Sequence, residues 1–94
     1  MPGVVRLGDI CTGHDGYPPR ANIEGSPNVY VNGRPAHCQG HAWGIHCKKS
    51  CHGGSLASGS STVYVNGRQL GYIGAPVDCG SSCATGSSDV FVGM

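Results

Sequence analysis

The hydrophobic positions of the chain are grouped in very short runs, and each run is followed by a polar turn sequence. Val-Tyr-Val occupies 29–31 and 63–65 and precedes Asn-Gly-Arg both times, and Val-Phe-Val occupies 90–92 and precedes a glycine. β-Branched and aromatic residues favour strands. Asn-Gly is a strong signal for a two-residue hairpin turn because both residues accept positive φ. The pattern predicts short β-hairpins.

These hairpins are part of an internal repeat. Residues 25–34 and 59–68 match closely, at an offset of 59 − 25 = 34 residues. Residues 86–93 form a third, partial copy, which begins 86 − 59 = 27 residues later and stops where the turn would come.

The second half of the repeat unit also recurs. An extended segment ending in glycine follows each complete copy, at 35–40 and 69–74, and residues 4–9 resemble the same segment at the start of the chain. Repeat units bury their apolar faces against neighbouring units. We therefore predict a single domain over residues 1–94, mainly β, in which three hairpin units form a small pseudo-threefold cone.

Composition and charge narrow the function classes. Seventeen Gly and six Pro in 94 residues disfavour helices. A net charge of +1 with only 12% charged residues gives no basic patch for nucleic acid. The first residues show no basic region followed by a long apolar run, so we expect no Sec signal peptide, and no apolar stretch is long enough for a transmembrane helix. We expect synthesis in the cytoplasm.

Three long connections, roughly 9–25, 41–59 and 75–87, should converge at the end opposite the hairpin turns. They carry most of the six Cys and five His. Such a set indicates either a disulfide framework, as in a disulfide-rich secreted binding module, or a metal site. A reducing cytoplasm favours free thiols and the metal site.

The repeat suggests which side chains are ligands. His14 lies six residues after Gly8, His46 lies six after Gly40, and Cys79 lies five after Gly74, so three loops present a candidate at a similar height. His52, on the return side of the second loop, is a fourth. Four N and S ligands suit a tetrahedral structural Zn²⁺ that fixes the loops as a tip, and these ligand types also allow iron. Four further residues remain alternatives for any one position: His37, His41, Cys47 and Cys51.

The combined motifs resemble those of PAAR-repeat proteins over nearly the whole chain. They are Val-Arg-Leu-Gly-Asp at 5–9, the two Gly-Ser-x-x-Val-Tyr-Val-Asn-Gly-Arg copies, Pro35-Ala36, Asp78-Cys79-Gly80, and the closing Gly-Ser-Ser-Asp-Val-Phe-Val-Gly. The second copy departs from the family pattern, since His37-Cys38 replaces Ala-Arg and His41 replaces Asp.

The resemblance implies a cone whose triangular base docks, as a monomer, on the trimeric VgrG-type β-helical spike of a type VI secretion system or a related phage-tail-like machine. It implies a zinc ion near the point, held by three His and one Cys, which agrees with the set His14, His46, His52 and Cys79. The implied role is secretion with the machine, transient contact with a target-cell membrane, and carriage of effector proteins.

An enzyme is the less favoured interpretation. Acidic residues are few, and so small a cone has little room for a substrate pocket of several hundred Å³, so we expect no catalytic residues. The aromatic residues at equivalent repeat positions, Tyr30, Tyr64 and Phe91, are expected to pack in the core or at the base. Cys38 is expected to fill a small apolar space.

Overall fold

The computed structural model of the protein describes residues 1–93 and contains three antiparallel two-stranded sheets, with no helix among those residues. The strands are β1 (Tyr30–Val31), β2 (Arg34–Pro35), β3 (Ala42–Cys47), β4 (Cys51–Ser55), β5 (Tyr64–Val65) and β6 (Arg68–Gln69). Sequential strands pair, as β1 with β2, β3 with β4, and β5 with β6. The mainly-β prediction is confirmed.

The predicted Asn-Gly turns form the ends of two hairpins. Asn32 and Gly33 have φ of 54° and 75°, and Asn66 and Gly67 have φ of 53° and 80°. Both central residues of each turn are therefore in the left-handed region that a type I′ hairpin requires.

The third hairpin is built from the two ends of the chain. Gly3 faces Phe91 in an antiparallel bridge. The Val4 amide donates to Val90 O at 3.0 Å, and the Val92 amide donates to Pro2 O at 3.0 Å. Residues 86–93 and 1–8 thus form one unit, equivalent to a first unit at residues 25–40 and a second at 59–74.

A closed ring of backbone hydrogen bonds joins the three units. The amide of Val5 donates to Gly71 O at 3.1 Å, Gly71 donates to His37 O at 2.9 Å, and His37 donates to Val5 O at 3.0 Å. These residues hold equivalent positions in the repeat. Each unit donates once and accepts once, so the hydrogen bonds follow a pseudo-threefold axis.

The second residue of each unit is a serine, which fixes the turn that leads into the first strand segment. Ser26, Ser60 and Ser87 are each buried, and each backbone amide donates to the next segment of its own unit, at Ala36 O, Leu70 O and Val4 O respectively. Each hydroxyl also accepts from the amide three residues later. The repeated Gly-Ser sequence is explained by these contacts, because the preceding glycine has no room for a Cβ.

The core consists of two buried clusters, one toward the hairpins and one toward the long loops. The first comprises Val4, Val31, Ala36, Cys38, Val65, Leu70 and Val92. The second comprises Val5, Cys11, Trp43, Leu56, Ala75, Val77 and Cys83, with Cys79 packed against it. Cys38 is fully buried in the first cluster, as expected. The protein measures 36 × 24 × 21 Å along its principal axes.

Two expectations differ from the structure. The second long connection, 41–59, was expected only as a loop of the converging end, but β3 and β4 lie within it and form the longest of the three hairpins, in which a disulfide joins Cys47 to Cys51. Of the two places expected for the equivalent aromatic residues, the core is the wrong one: Tyr30, Tyr64 and Phe91 are 58%, 56% and 51% exposed. They lie on the hairpins that end each unit, so they form an outer surface there.

Candidate metal centre

The β3–β4 hairpin supplies two of the four candidate ligands. His46 and His52 are direct cross-strand partners, next to the disulfide-bonded pair Cys47 and Cys51. Side chains of such partners lie on the same face of a hairpin. The two Nε2 atoms are 2.7 Å apart.

A second, smaller hairpin supplies His14. The His14 amide donates to Tyr17 O at 3.2 Å and the Tyr17 amide donates to His14 O at 2.6 Å. Asp15 and Gly16 between them have φ of 45° and 83°. This Asp-Gly turn has the left-handed geometry of a two-residue hairpin. It brings His14 Nε2 to 3.2 Å from His46 Nε2 and 3.0 Å from His52 Nε2.

Cys79 completes the group from the third loop. The ligand atoms of His14, His46, His52 and Cys79 all lie within 4.8 Å of one another. Tetrahedral Zn²⁺ with ordinary Zn–N bonds separates its nitrogen ligands by about 3.3 Å. The imidazole nitrogens here are separated by 2.7–3.2 Å. The four donors can hold a metal ion, and their types fit zinc.

The protonation of the imidazoles agrees with this role. His46 Nδ1 lies 2.8 Å from Pro18 O, so Nδ1 donates to the backbone and Nε2 is the ring nitrogen that faces the other candidate ligands. Desolvation, together with the neighbouring His46 and His14 rings, lowers the pKa of His52. A neutral imidazole is the form that binds metal.

Tyr17 packs against all three histidines. Its ring centroid lies 4.9 Å from that of His14, 4.9 Å from that of His46 and 4.4 Å from that of His52. The hydroxyl lies 3.2 Å from Ser50 Oγ. Tyr17 therefore braces the imidazoles against one another, a role that its position in the sequence did not suggest.

Arg20 connects the cluster to the buried core. Its guanidinium donates to Cys79 Sγ at 3.4 Å, to Cys11 Sγ at 3.1 Å and, through Nε, to Gly44 O at 2.7 Å. It also lies over the Trp43 ring at 5.5 Å. Burial alone would raise the pKa of the Cys11 thiol, but the hydrogen bonds from Arg20 lower it below the ordinary value. Arg20 thus places positive charge beside the Cys79 sulfur.

The four alternative ligands lie elsewhere or are otherwise engaged. Cys47 and Cys51 are joined as a disulfide, so the expectation of free thiols is wrong for this pair. His37 and His41 form a separate pair, with ring centroids 5.6 Å apart, outside the cluster. His37 donates from Nδ1 to Glu24 O at 2.7 Å. The remaining cysteines, Cys11, Cys38, Cys79 and Cys83, are free.

A profile of the PAAR motif matches residues 12–85, which is most of the chain. The chain belongs to the PAAR motif family. This agrees with the repeat, the ring of hydrogen bonds and the His/Cys cluster described above.

Curated relatives of this PAAR chain are toxins. It is 36% identical to the NAD(P)(+) glycohydrolase toxin Tse6 and also 36% identical to the (p)ppApp synthetase toxin Tas1, from two strains of Pseudomonas aeruginosa. Each match covers 76% of this chain and 18% of the relative. It is 35% identical to double-stranded DNA deaminase toxin A of Burkholderia cenocepacia, over 73% of this chain and 5% of that protein. The chain spans less than a fifth of the length of these relatives.

The PAAR chain shows no helix, over its described residues, that is long and apolar enough to cross a membrane.

Proposed function

We propose that the protein is the zinc-stapled tip of a contractile injection machine. In this role its base caps the trimeric VgrG-type β-helical spike of a type VI secretion system or a related phage-tail-like machine. Membership of the PAAR motif family supports this proposal, and the observation that carries it is the pseudo-threefold arrangement of the base. A threefold partner requires three equivalent contacts, and one chain supplies them here.

The base surface has the chemistry of a docking site. Tyr30, Tyr64 and Phe91 are more than half exposed to nearly the same extent, and each follows a valine that is also partly exposed, Val29, Val63 and Val90. Exposed apolar patches that repeat in this way mark interaction surfaces. Aromatic side chains supply most of the binding energy at such surfaces.

At the other end, zinc would fix the point. His14, His46, His52 and Cys79 would occupy all four positions of a tetrahedral ion and tie three loops together. Zinc binding would then add directly to folding free energy. Since a filled tetrahedral site has no open position for water or substrate, we propose a structural role and no catalytic one. A compact, rigid point would concentrate the force of contraction on a small area of the target membrane.

The remaining parts of the proposal concern organisation and delivery. We propose that residues 1–94 form one PAAR domain, made in the bacterial cytoplasm and exported with the machine. The relatives' names describe toxins, so carriage of effector proteins is a fitting role for the family. The partner of this domain in delivery would be an effector protein.

Binding to the spike tests the base. The protein is mixed with the trimeric spike protein of its own genome, and the complex is measured by size-exclusion chromatography with light scattering. We expect one copy bound per spike trimer. Tyr64→Asp combined with Tyr30→Asp should abolish binding, whereas Ile45→Asp, a control at an apolar residue that is 71% exposed on β3, should leave it intact. No complex, or equal binding by both variants, would refute the docking proposal.

Elemental analysis tests the metal. We expect one zinc per purified chain, and iron in its place would correct the identity of the ion. A metal-free protein with full thermal stability would exclude a structural metal.

A further inference from the structure

The three grooves between neighbouring units are filled differently. Arg6, Cys38 and Tyr72 hold equivalent positions, because the carbonyl of each accepts a hydrogen bond at 3.0 Å from the amide three residues later. Their side chains differ greatly in size and charge. Tyr72 packs against both core clusters. In the other two grooves, the long side chain of Arg6 occupies the space between the units, whereas the short side chain of Cys38 does not.

The groove between the third and first units is filled by a guanidinium of the chain itself. Arg6 donates to both carboxylate oxygens of Asp9, at 2.9 and 3.2 Å, and to Asn32 Oδ1 at 3.1 Å. Thr85 Oγ donates to the same carboxylate at 2.9 Å, and Arg34 Nη2 approaches it at 3.6 Å. A planar guanidinium is thus held between a carboxylate and an amide oxygen.

The groove between the first and second units has the same frame without the guanidinium. Cys38, at the position of Arg6, is short and fully buried. A cavity of about 570 Å³ lies against His41, three residues further along the chain. The lining residues are Glu24, Gly25, Ser26, Pro27, Asn28, His41, Val65, Asn66 and Arg68. Each has a counterpart in the filled groove, where the corresponding residues are 85–89, Asp9, Val31, Asn32 and Arg34.

The frame also keeps its hydrogen bonds. Asn66 Nδ2 donates to Asn28 Oδ1 at 2.8 Å, as Asn32 Nδ2 donates to Asp89 Oδ1 at 2.9 Å. The Cys38 amide donates to His41 Nδ1 at 2.9 Å, in the way that the Arg6 amide donates to Asp9 Oδ2 at 2.8 Å. The open groove therefore keeps the hydrogen-bonded frame of the filled groove and has a cysteine at the position of its arginine.

A negative charge has been kept in this groove, but on a different residue. Glu24 stands at the position of Thr85, and its Oε1 accepts from the Ala42 amide at 2.8 Å. Within residues 1–93, neither its second carboxylate oxygen nor Asn66 Oδ1 has a hydrogen-bond donor. Arg68 is turned toward Gln39 O at 3.0 Å, as Arg34 is turned toward Leu7 O. The acceptors that a guanidinium needs are present and free.

We propose that this groove binds an arginine side chain of a polypeptide partner. The guanidinium would lie where that of Arg6 lies in the neighbouring groove, donating to Glu24 and to Asn66 Oδ1. Guanidinium groups pair with carboxylates through a planar, charge-assisted fork. Because Asn66 belongs to the hairpin turn at the base, the groove opens beside the spike-docking surface. The site does not depend on the metal centre.

The probe for this proposal is N-acetyl-L-arginine amide, titrated into ¹⁵N-labelled, metal-loaded protein and followed by two-dimensional NMR. We expect saturable shifts at the Asn66 and Asn28 side-chain amides and at the His41 backbone amide, with a Kd of about 1 mM, which is typical of a single small group. N-acetyl-L-citrulline amide, a neutral isostere, should bind up to about fivefold more weakly, the ratio at the upper end for loss of one partly exposed ion pair.

Two variants make the test specific. Glu24→Gln keeps the acceptor for the Ala42 amide but removes the charge, and we expect it to weaken arginine binding by up to about fivefold. Asp15→Asn removes a charge from an exposed turn elsewhere and should have no effect. The double variant Cys38→Arg/His41→Asp would recreate the Arg6–Asp9 pair and close the groove, so it should abolish binding.

Three outcomes would overturn the proposal. One is an absence of saturable shifts in the folded wild-type protein up to about 50 mM probe, well above the expected Kd. Another is unchanged arginine binding in folded Glu24→Gln protein. The third is preferential binding of N-acetyl-L-glutamate at the same amides, which would make Arg68 and His41 the recognition groups for an anion.

Discussion

At the scale of single residues, Cys79 is the proposed ligand that a hydrogen-bond donor, Arg20, links to the buried core. Arg20 donates both to its sulfur and to Cys11, which is fully buried. The Cys79 sulfur is therefore positioned by a guanidinium that is itself held by Gly44 and Trp43. Cys79 and Arg20 belong to different loops, so loss of Cys79 should weaken the contact between these loops as well as metal binding.

Cys79→Ser tests this ligand. We expect zinc affinity to fall at least about tenfold, since even substitutions in the outer shell of a metal site have effects of that size. Competition with a chromophoric chelator measures it. Cys38→Ala, which removes a free thiol outside the cluster, should keep wild-type affinity; equal affinity in Cys79→Ser would remove Cys79 from the ligand set.

His37 makes the fold sensitive to acid. Its side chain is fully buried, and desolvation lowers its pKa from 6.5 to about 4. The unfolded chain therefore binds the proton more readily, so this residue's contribution is complete above about pH 6.5 and is lost as pH falls toward 4. The loss between pH 7 and pH 5 should be about 2 kcal/mol.

Denaturant unfolding of the wild type and of His37→Asn at both pH values measures this contribution. The asparagine can donate to Glu24 O but does not titrate, so it should lose about 2 kcal/mol less than the wild type between the two pH values. The metal ligands are common to both proteins and cancel in the comparison. Identical pH dependence would show that His37 is not the acid-sensitive group.

At the scale of elements, the β3–β4 hairpin is held by a covalent bond next to its two histidines. The disulfide closes a very short loop, with a sequence separation of 4. Loop-entropy arguments assign such a short crosslink about 2 kcal/mol. The crosslink also fixes the register that places His46 opposite His52.

Reduction should therefore speed zinc loss. We expect the Cys47→Ser/Cys51→Ser variant to be about 2 kcal/mol less stable and to release zinc faster to an excess of chelator. A reductant that does not bind zinc should accelerate release from the wild type only. Equal release rates for wild type and variant would show that the hairpin keeps its register without the bond.

The glycines of the repeat differ in what they tolerate. A Cβ at Gly33 would meet nothing within 4 Å, but this residue has φ of 75°. Gly59 has no such φ, yet a Cβ there would overlap the carbonyl of Leu70. Gly33→Ala should therefore cost about 1 kcal/mol for the left-handed conformation, and Gly59→Ala about 3 kcal/mol for overlap with backbone.

Thermal and denaturant unfolding of the two variants tests this order. Gly53→Ala is the control, because its Cβ would meet only the Trp43 carbonyl at an ordinary 3.6 Å. We expect it to be close to neutral. The reverse order for Gly33 and Gly59 would contradict the proposed role of the Gly-Ser sequence.

At the scale of the whole molecule, the repeat in the sequence predicted the architecture because equivalent residues make equivalent contacts. Asn-Gly turns, Gly-Ser starts and the extended segments follow local chemistry that needs no tertiary information. The same spacing brought three candidate ligands, His14, His46 and Cys79, into one set, and His52 joined them from the return side of the second loop. Their convergence in the structure agrees with that set, while metal binding by them stays a prediction.

The features that were missed depend on departures from the repeat. The β3–β4 hairpin has no counterpart in the other units, and its glycines, Gly44, Gly53 and Gly54, weaken the strand signal, so pairing is fixed by tertiary context and the disulfide. The dipeptide Asp15-Gly16 is typical of a hairpin turn. The residues on either side of it form no apolar run, so no strands were indicated beside the turn. The exposure of Tyr64 and its equivalents could not be read from aromatic character, because burial depends on a partner.

The third hairpin, formed by the two chain ends, allows a test of the whole architecture. A circular permutant in which an Asn-Gly turn joins Val92 to Pro2, with the chain opened between Asn32 and Gly33, should keep the fold and one zinc per chain. The joined turn matches the two that exist, and the opened turn becomes the new discontinuous hairpin. Far-UV circular dichroism and elemental analysis measure this; an unfolded permutant would show that the units are not interchangeable.

The closed ring of Val5, His37 and Gly71 also bears on when the protein can fold. Each of its hydrogen bonds joins residues at least 32 positions apart, and Val5 bonds directly to Gly71. Long-range contacts of this kind are formed late, since chain entropy opposes their closure. A nascent chain leaving the ribosome would have two thirds of the ring and no means of closing it until Gly71 emerged. Residues 90–92, which pair with the first strand segment, would emerge later still. This domain would therefore close only after its last strand segment had left the ribosome, and its early segments would need protection from misfolding until then.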